Sequence, residues 1–151
     1  MPEVRIIEID HGWSRFPEVQ ALYYAVLYEG FGVPSGADWY HDANGSAFSV
    51  GLGALGRLLG AARLLPAPGD AARQIRQVAV SPEYHGSGLG RRLVSTLERR
   101  AATEGATQLW LNSRHTAYGF YERLGFVSEG PEFDSELTGI RHRLMRKQIV
   151  E

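Results

Sequence analysis

Three alternating glycines mark the residues best suited to chemistry, His85-Gly86-Ser87-Gly88-Leu89-Gly90. Glycines adopt positive φ and let backbone N–H groups approach a ligand without a Cβ in the way. Where such a loop opens a helix, the free N–H groups and the helix dipole favour an anion, most often a phosphate. Arg91 follows at once and could bind the same anion. The spacing predicts a phosphate-binding loop, and a glycine-rich turn without a ligand is the alternative.

Two well-known nucleotide-binding patterns do not fit this loop. A Walker loop ends in Gly-Lys-Ser/Thr, whereas Gly90 is followed by Arg91-Arg92-Leu93. The Rossmann fingerprint needs G-x-G-x-x-G and an acidic residue about 20 residues later. The spacing here is G-x-G-x-G, and the later segment reads "QLWLN". The loop therefore predicts a phosphate-bearing ligand held in another way.

Regular elements must position this loop. Apolar runs and alternation predict strands over residues 4–9, 46–51, 57–66, 75–80, 108–112, 126–129 and 142–149. Helical spacing predicts helices over residues 16–29, 88–104 and 118–124. We expect the aromatic-rich segment "GFGVPSGADWYHDANG" to be an ordered loop packed on the body of the protein. The order of elements indicates an α/β fold with a mixed, largely antiparallel sheet flanked by helices, in a single domain over residues 1–151.

Composition excludes several classes of protein. The 151 residues carry a formal net charge of −1, which gives no overall attraction to nucleic acid or to an anionic membrane. There are no cysteines, so disulfides, thiolate metal sites and cysteine nucleophiles are excluded. The start of the chain, "MPEVRIIEIDHGW", lacks the features of a signal peptide, and no apolar run is long enough to span a membrane. We expect a cytoplasmic protein that uses no metal.

A second motif gives the glycine loop a more specific meaning. The segment "VAVSPEYHGSGLGRRLVSTLE", followed by "AYGFYERLGF" from Ala117 to Phe126, resembles the GNAT-type N-acetyltransferases. That family has an R/Q-x-x-G-x-G/A loop and a later A-x-x-F-Y-x-x-x-G-F helix. The segments "YYAVLYEGFGVP" and "GIRHRLMRK" resemble the ElaA-like branch more loosely. His85 departs from the family pattern, because it stands where Arg or Gln is usual.

The resemblance implies a GNAT-like sheet with a splayed strand pair and acetyl-CoA as co-substrate. Backbone N–H groups of residues 85–90 would hold the pyrophosphate, and residues 77–80 would bind the pantetheine arm, with a backbone N–H near Val78 or Ala79 polarising the thioester carbonyl. His85 could add a pH-dependent contact. The residues expected at the cofactor are Val78, Ala79, Val80, His85, Gly86, Ser87, Gly88, Leu89, Gly90, Arg91, Asn112, Tyr118 and Tyr121.

Two residues are predicted to take part in catalysis. By the resemblance, Tyr121 protonates the departing thiolate, or else it only packs against or hydrogen-bonds the cofactor. Asn112 matches a polar position that contacts the pantetheine or a water, or else it only caps a strand end. The general base is open among three residues, and proximity supplies much of the rate in such a reaction. These three candidates are His115, Glu83 and His142.

The acceptor site is predicted from the remaining polar and aromatic residues. Its candidates are Tyr24, Trp39, Tyr40, Gln77, His115 and His142, with core packing as the alternative for the aromatic residues. An acidic run could attract an ammonium group or could be a solvated loop; it comprises Glu129, Glu132, Asp134 and Glu136.

The resemblance predicts transfer of an acetyl group, or a related short acyl group, from CoA to a primary amine by direct transfer in a ternary complex. The acceptor would be a small molecule or a peptide, with no nucleic acid or membrane partner, and a homodimer is left open. A non-catalytic CoA-binding or sensing module of the same fold is the alternative. A nucleotide-phosphate-binding regulator would explain the glycine loop but would leave "AYGFYERLGF" without a role.

Overall fold

The computed structural model describes residues 3–34, 43–66 and 71–149. Its strands are β1 (Arg5–Ile9), β2 (Ala47–Leu52), β3 (Leu58–Leu64), β4 (Ala72–Val80), β5 (Gln108–Arg114), β6 (Val127–Asp134) and β7 (Arg141–Gln148). They form a sheet in the order β1-β2-β3-β4-β5-β7-β6. All neighbouring strands are antiparallel except the parallel pair β4 and β5. The predicted α/β class is confirmed.

Three α-helices flank the sheet: α1 (Phe16–Tyr23), α2 (Leu89–Thr103) and α3 (Tyr118–Arg123). The first helix is shorter than predicted, because after Tyr23 the chain widens into a π-helical turn over Tyr24–Tyr28 and then a 3-10 turn over Glu29–Phe31. Gly32, with φ of +77°, ends this run. None of the helices that the structure describes has the length and apolar character needed to cross a bilayer.

The two faces of the sheet carry separate apolar clusters. On β2, Ala47 belongs to the cluster under α2, whereas Phe48 and Val50 belong to the cluster under α1. This alternation follows from strand geometry, which points successive side chains to opposite faces. Helix α2 buries Leu93 and Leu97 completely, each contributing about 1.5–3 kcal/mol of burial free energy. The sheet is therefore packed on both faces.

Strands β4 and β5 pair at one end only. Ala72, Arg73 and Gln74 lie opposite Gln108, Leu109 and Trp110, and no later residue of β4 pairs with β5. The two strands nevertheless continue to Val80 and Arg114. The predicted splayed strand pair is thus confirmed. Both strands are longer than predicted, because hydrogen bonding across the sheet, rather than an apolar run, sets their ends.

A β-bulge bends β4 at the point where the strands separate. Arg63 of β3 lies opposite Arg76, and Ala61 lies opposite Ala79, so that Gln77 and Val78 together face a single residue of β3. Gln77 has φ of +53°, an unusual value for a residue other than glycine. A bulge increases the local bend and twist of its strand. This one directs the end of β4 away from β5 and opens a cleft between them.

Candidate active site

The loop between β4 and α2 and the first turn of α2 contain four backbone N–H groups that have no acceptor within the part of the chain that the structure describes. The N–H of His85 donates to the Pro82 carbonyl (3.1 Å) and that of Ser87 to the Tyr84 carbonyl (3.2 Å). The N–H of Leu89 donates to the Ser87 Oγ at 3.3 Å. Within the described residues, no acceptor is found for the N–H groups of Gly86, Gly88, Gly90 and Arg91. The last two belong to the first turn of α2, where helical hydrogen bonding provides none.

Positive φ values hold this loop open. Gly86 and Gly88 have φ of +78° and +88°. A Cβ built on either glycine would meet no atom within 4 Å, so the space in front of the loop is free. Four unpaired N–H groups beside open space at the N-terminus of a 15-residue helix form a site suited to a phosphate. The helix dipole adds to the attraction.

The other side chains of the loop are placed as follows. The imidazole Nε2 of His85 lies 2.8 Å from the Val80 carbonyl oxygen, so the ring closes the loop back onto the end of β4. Its predicted pH-dependent contact with a ligand stays a prediction. Leu89 is buried in the core, so only its backbone lies at the loop surface. Arg91 is exposed and lies in a shallow cavity along α2.

Gly90 connects the two sequence motifs. A Cβ at Gly90 would lie only 3.2 Å from the Phe120 ring, which packs against the start of α2. Phe120 in turn packs edge-on against Tyr121, with ring centroids 4.9 Å apart. The third glycine of the loop is therefore needed for packing, because Gly90 lies in α2 and does not have a positive φ. It allows the helix that carries Tyr121 to approach the phosphate-binding loop.

The cleft between β4 and β5 has a volume of about 650 Å³. Its walls include both diverging strands, the π-helical turn, α3 and the connection between β6 and β7. Among the residues predicted for the site, those that line it are Gln77, Val78, Asn112, Tyr121, Asp134, Glu136 and His142. Ala79 is buried against the α1-side cluster, and Val80 packs against the α2-side cluster. Both are placed to act through the β4 backbone.

Tyr121 lies in the wall of the cleft and is mostly buried. Its ring also packs edge-on against Phe126, at a centroid distance of 5.6 Å. Burial raises the pKa of Tyr121 well above its ordinary value, so the hydroxyl stays protonated. In the described part of the chain, that hydroxyl has no hydrogen-bond partner. Tyr121 thus presents an available proton donor. Asn112 is exposed on the same cleft.

The strained residue Gln77 is held by two side-chain contacts. Its Nε2 donates to the Tyr28 hydroxyl at 3.0 Å, and its Oε1 accepts from Arg63 at 3.3 Å. Tyr28 also lines the cleft, and it was not predicted from the sequence. The aromatic residue chosen instead, Tyr24, donates its hydroxyl to the Val33 carbonyl at 2.9 Å and lies outside the cleft lining. The sequence pattern predicted an α-helix here and did not show the π-helical turn. The type of helix decides which of the two tyrosines faces the cleft.

His142 is the base candidate that the structure brings to the cleft. Its Nδ1 lies 2.8 Å from the Ile140 carbonyl oxygen, which can only accept. Nδ1 must therefore carry the proton, and Nε2 of the neutral ring keeps its lone pair. Burial, the largest cause, lowers the pKa of His142. The ring stacks on Phe133, with centroids 5.9 Å apart.

The other candidates lie elsewhere. His115 is exposed and does not line the cleft, and Glu83 forms an ion pair with Arg57 at 2.5 Å. The Tyr118 hydroxyl donates to Glu132 at 2.9 Å. Trp39 and Tyr40 lie outside the described residues.

The acidic run is largely engaged by the protein itself. Besides the contact of Glu132 with Tyr118, Glu129 pairs with Arg146 at 2.9 Å and Asp134 lies 3.9 Å from Arg141. Asp134 and Glu136 line the cleft. Only the end of the run is thus placed to meet a bound molecule.

The splayed strands, the open glycine loop and the tyrosine in the cleft match a known family. Residues 13–126 match the model of the acetyltransferase (GNAT) family. This chain belongs to the GNAT family. The match includes both motifs, the loop at 85–90 and the helix that carries Tyr121.

Matches to individual curated proteins cover a smaller part of the chain than the match to the family model does. The chain is 37% identical over 76 residues to the glucosamine 6-phosphate N-acetyltransferase of Trypanosoma brucei brucei, a match of 47% of this chain and 52% of that one. The chain spans about half the length of the curated relatives that it matches.

Solved structures resemble the chain over nearly its whole length. Escherichia coli ElaA superposes with a TM-score of 0.79 at 18% identity, over 97% of this chain and 100% of that one. An aminoglycoside 6′-N-acetyltransferase in complex with coenzyme A superposes with a TM-score of 0.78 at 19% identity, over 97% and 98%. These likenesses show the fold alone, so membership of the ElaA-like branch stays a prediction.

Proposed function

We propose that this GNAT protein transfers an acetyl group from acetyl-CoA to a primary amine by direct attack within a ternary complex. The observation that carries the proposal is the cleft between β4 and β5, which has the open glycine loop beside it and the Tyr121 hydroxyl in its wall. A phosphate-binding loop that follows β4 and a proton donor in the cleft beside β4 suit a co-substrate with a phosphate at one part and a thioester at another.

The residues present fit acetyl-CoA. The N–H groups of Gly86, Gly88, Gly90 and Arg91 would hold the pyrophosphate, because they have no acceptor within the described residues and the space beside Gly86 and Gly88 is open. The free edge of β4 beyond Gln74 would hydrogen-bond the pantetheine arm. When bound, acetyl-CoA supplies an activated carbonyl carbon and a thiolate leaving group.

Tyr121 is the proposed general acid. As the amine nitrogen bonds to the carbonyl carbon and the carbon–sulfur bond breaks, the sulfur needs a proton, and the Tyr121 hydroxyl can give one. Burial keeps this hydroxyl protonated throughout the physiological pH range. General acid catalysis of this kind contributes about 10²–10⁴-fold to a rate. A backbone N–H near Val78 would polarise the carbonyl, and Asn112 would orient the arm or a water.

His142 is the proposed general base, acting directly or through a water. The attacking amine must lose a proton, and the Nε2 lone pair of His142 can accept it. Because the pKa of His142 is lowered, the ring is neutral at pH 7 and ready to act. Its position on the cleft distinguishes it from His115 and Glu83.

Two measurements in sequence test the proposal. Thermal unfolding with acetyl-CoA at about 100 times its Kd should show about 2.7 kcal/mol of added stability. Thiol release should then be followed with a panel of amines that includes glucosamine 6-phosphate, amino acids and aminoglycosides. No stabilisation by millimolar acetyl-CoA would refute the acetyl-CoA site. Binding without thiol release for any amine would favour the non-catalytic CoA-binding module.

A further inference from the structure

In the described part of the chain, the guanidinium of Arg114 lies in the cleft without an acidic partner. Arg114 ends β5, and its Nη2 donates to the Leu27 carbonyl of the π-helical turn. Its guanidinium carbon lies 4.9 Å from the centre of the Phe31 ring. Within the described residues, no carboxylate pairs with it, and its Nε and Nη1 donors have no acceptor. Four of its five N–H donors therefore remain available.

An acidic partner would be expected for an arginine in the position of Arg114. Arg114 is half-buried, and a cation removed from water without a counter-charge is costly. Burial accordingly lowers the pKa of Arg114. By contrast, Arg73, which is also buried, is paired with Glu104 at 2.7 Å. An anion bound in the cleft would give Arg114 the counter-charge that the described residues do not.

A second arginine, Arg76, lines the opposite wall of the cleft. Arg76 lies on β4 directly before the bulge at Gln77, and it is exposed. Among the described residues, its guanidinium forms no ion pair or hydrogen bond. Because β4 and β5 separate beyond Gln74, the cavity lies between the two arginines. The nearby acidic residues Asp134 and Glu136 line the same cavity but pair with neither.

We propose that the acceptor amine also carries an anionic oxygen group, a carboxylate or a phosphate, which Arg114 and Arg76 bind. This inference rests on the proposed acetyl transfer and names the acceptor class. A guanidinium presents a planar fork of donors that matches both groups. Asp134 and Glu136 give the cavity a negative side as well, so that it complements an acceptor carrying both an ammonium group and an anion.

The phosphates of CoA are not expected to supply the anion that Arg114 and Arg76 bind. The N–H groups proposed to hold the pyrophosphate lie in the loop from Gly86 to Arg91, and that loop does not line the cavity. Arg114 contacts the π-helical turn instead, on the side where Tyr28 and His142 meet the cavity. The two arginines are thus placed for the acceptor rather than for the nucleotide part of the co-substrate.

Matched acceptors provide the test. Thiol release from acetyl-CoA is measured with amino acids against their carboxamides, and with 2-aminoethyl phosphate against ethanolamine. In the wild type, kcat/KM should favour the anionic member of at least one pair by roughly tenfold to a hundredfold, as expected for a charged hydrogen bond. Arg76→Gln and Arg114→Gln should each reduce that ratio at least several-fold, mainly through KM. The preferred pair tells a carboxylate from a phosphate.

Two further proteins serve as controls. Arg99→Gln makes the same change on the exposed face of α2, outside the cavity, and should keep the wild-type ratio. Arg114→Lys keeps the charge if Arg114→Gln fails to fold, and it should lower the ratio less than loss of the charge would. Arg76 is exposed, so its variant should melt like the wild type.

The outcomes separate this inference from the proposed function. Equal or better use of the neutral amines by the wild type would overturn the inference and leave the transferase standing. If acetyl-CoA binds and no amine is used, the anionic amines should still raise the melting temperature of the acetyl-CoA complex above the neutral ones. Absence of that difference would also overturn the inference. No response to acetyl-CoA itself would refute the function on which it rests.

Discussion

Replacing Gly88 with alanine tests whether the backbone of the loop holds the co-substrate. Gly88 has φ of +88°, a conformation that costs an L-residue about 1–2 kcal/mol. A smaller unfolded-state entropy offsets about 0.4–1 kcal/mol of this cost. The added Cβ would meet no atom within 4 Å, so packing adds nothing. The ligand-free protein should therefore lose about 1 kcal/mol, which is about 2–4 °C in Tm for a chain of this size.

Gly88→Ala should weaken acetyl-CoA binding more than it lowers the stability of the ligand-free protein. The substituted loop must either move its N–H groups or place a methyl group in front of them. A hydrogen bond to a charged group contributes about 1.5–3 kcal/mol, so losing one weakens acetyl-CoA binding about tenfold to a hundredfold. At about 100 times the wild-type Kd, acetyl-CoA adds about 2.7 kcal/mol to the wild type. The same concentration should add only about 0.4–1.4 kcal/mol to Gly88→Ala.

Gly105→Ala is the matched control. Gly105 has φ of +94°, and a Cβ there would also meet no atom within 4 Å, but it follows the opposite end of α2. Thermal unfolding of the three proteins with and without acetyl-CoA makes the comparison. Gly105→Ala should lose similar ligand-free stability and keep the full acetyl-CoA shift. A full acetyl-CoA shift in Gly88→Ala, or an equal reduction of that shift in both variants, would refute the backbone site.

Three other predictions concern catalysis and packing. Tyr121→Phe should lower kcat about 10²–10⁴-fold and leave the acetyl-CoA Kd within about twofold, as measured by thiol release and calorimetry; an unchanged kcat would reassign Tyr121 to packing. Because the pKa of His142 is lowered in the folded protein, its contribution to stability is complete above its unfolded value of about 6.5 and is lost as pH falls through the lowered value. His142→Gln should flatten that acid loss in a Tm series from pH 4 to 8 and remove the rise of kcat with pH, and unchanged profiles would count against the base. Gly90→Ala should overpack Phe120 at a cost of about 1–3 kcal/mol, less the roughly 0.5–1 kcal/mol that alanine gains over glycine inside a helix, and Phe120→Leu should relieve part of the overpacking in a denaturant-unfolding cycle, whereas additive effects would disprove the contact.

Local sequence determined much of this fold. Leu93, Leu97 and Ala101 recur at helical spacing, and the bounds predicted for α2 from that pattern differ from the structure by one residue at each end. The glycine loop and the Phe120-Tyr121 motif could both be recognised in the sequence. Each depends on neighbours a few residues away, and such short-range preferences are what a sequence pattern records. They were sufficient for the fold class and for a resemblance to the GNAT family.

Contacts between distant residues decided the cleft. Gln77 has a strained φ at the bulge of β4, where that strand separates from β5, and its side chain is hydrogen-bonded to Arg63 and Tyr28, which lie 14 and 49 residues away. No local pattern shows that the chain widens into a π-helical turn that brings Tyr28 to the cleft and gives Arg114 a carbonyl to bind. The sequence contains 17 acidic residues, and only the tertiary structure shows that, within its described part, none pairs with Arg114. The sequence identified most of the candidate site residues individually. The charge balance of the cleft, by contrast, depends on which of these residues the folded sheet brings together.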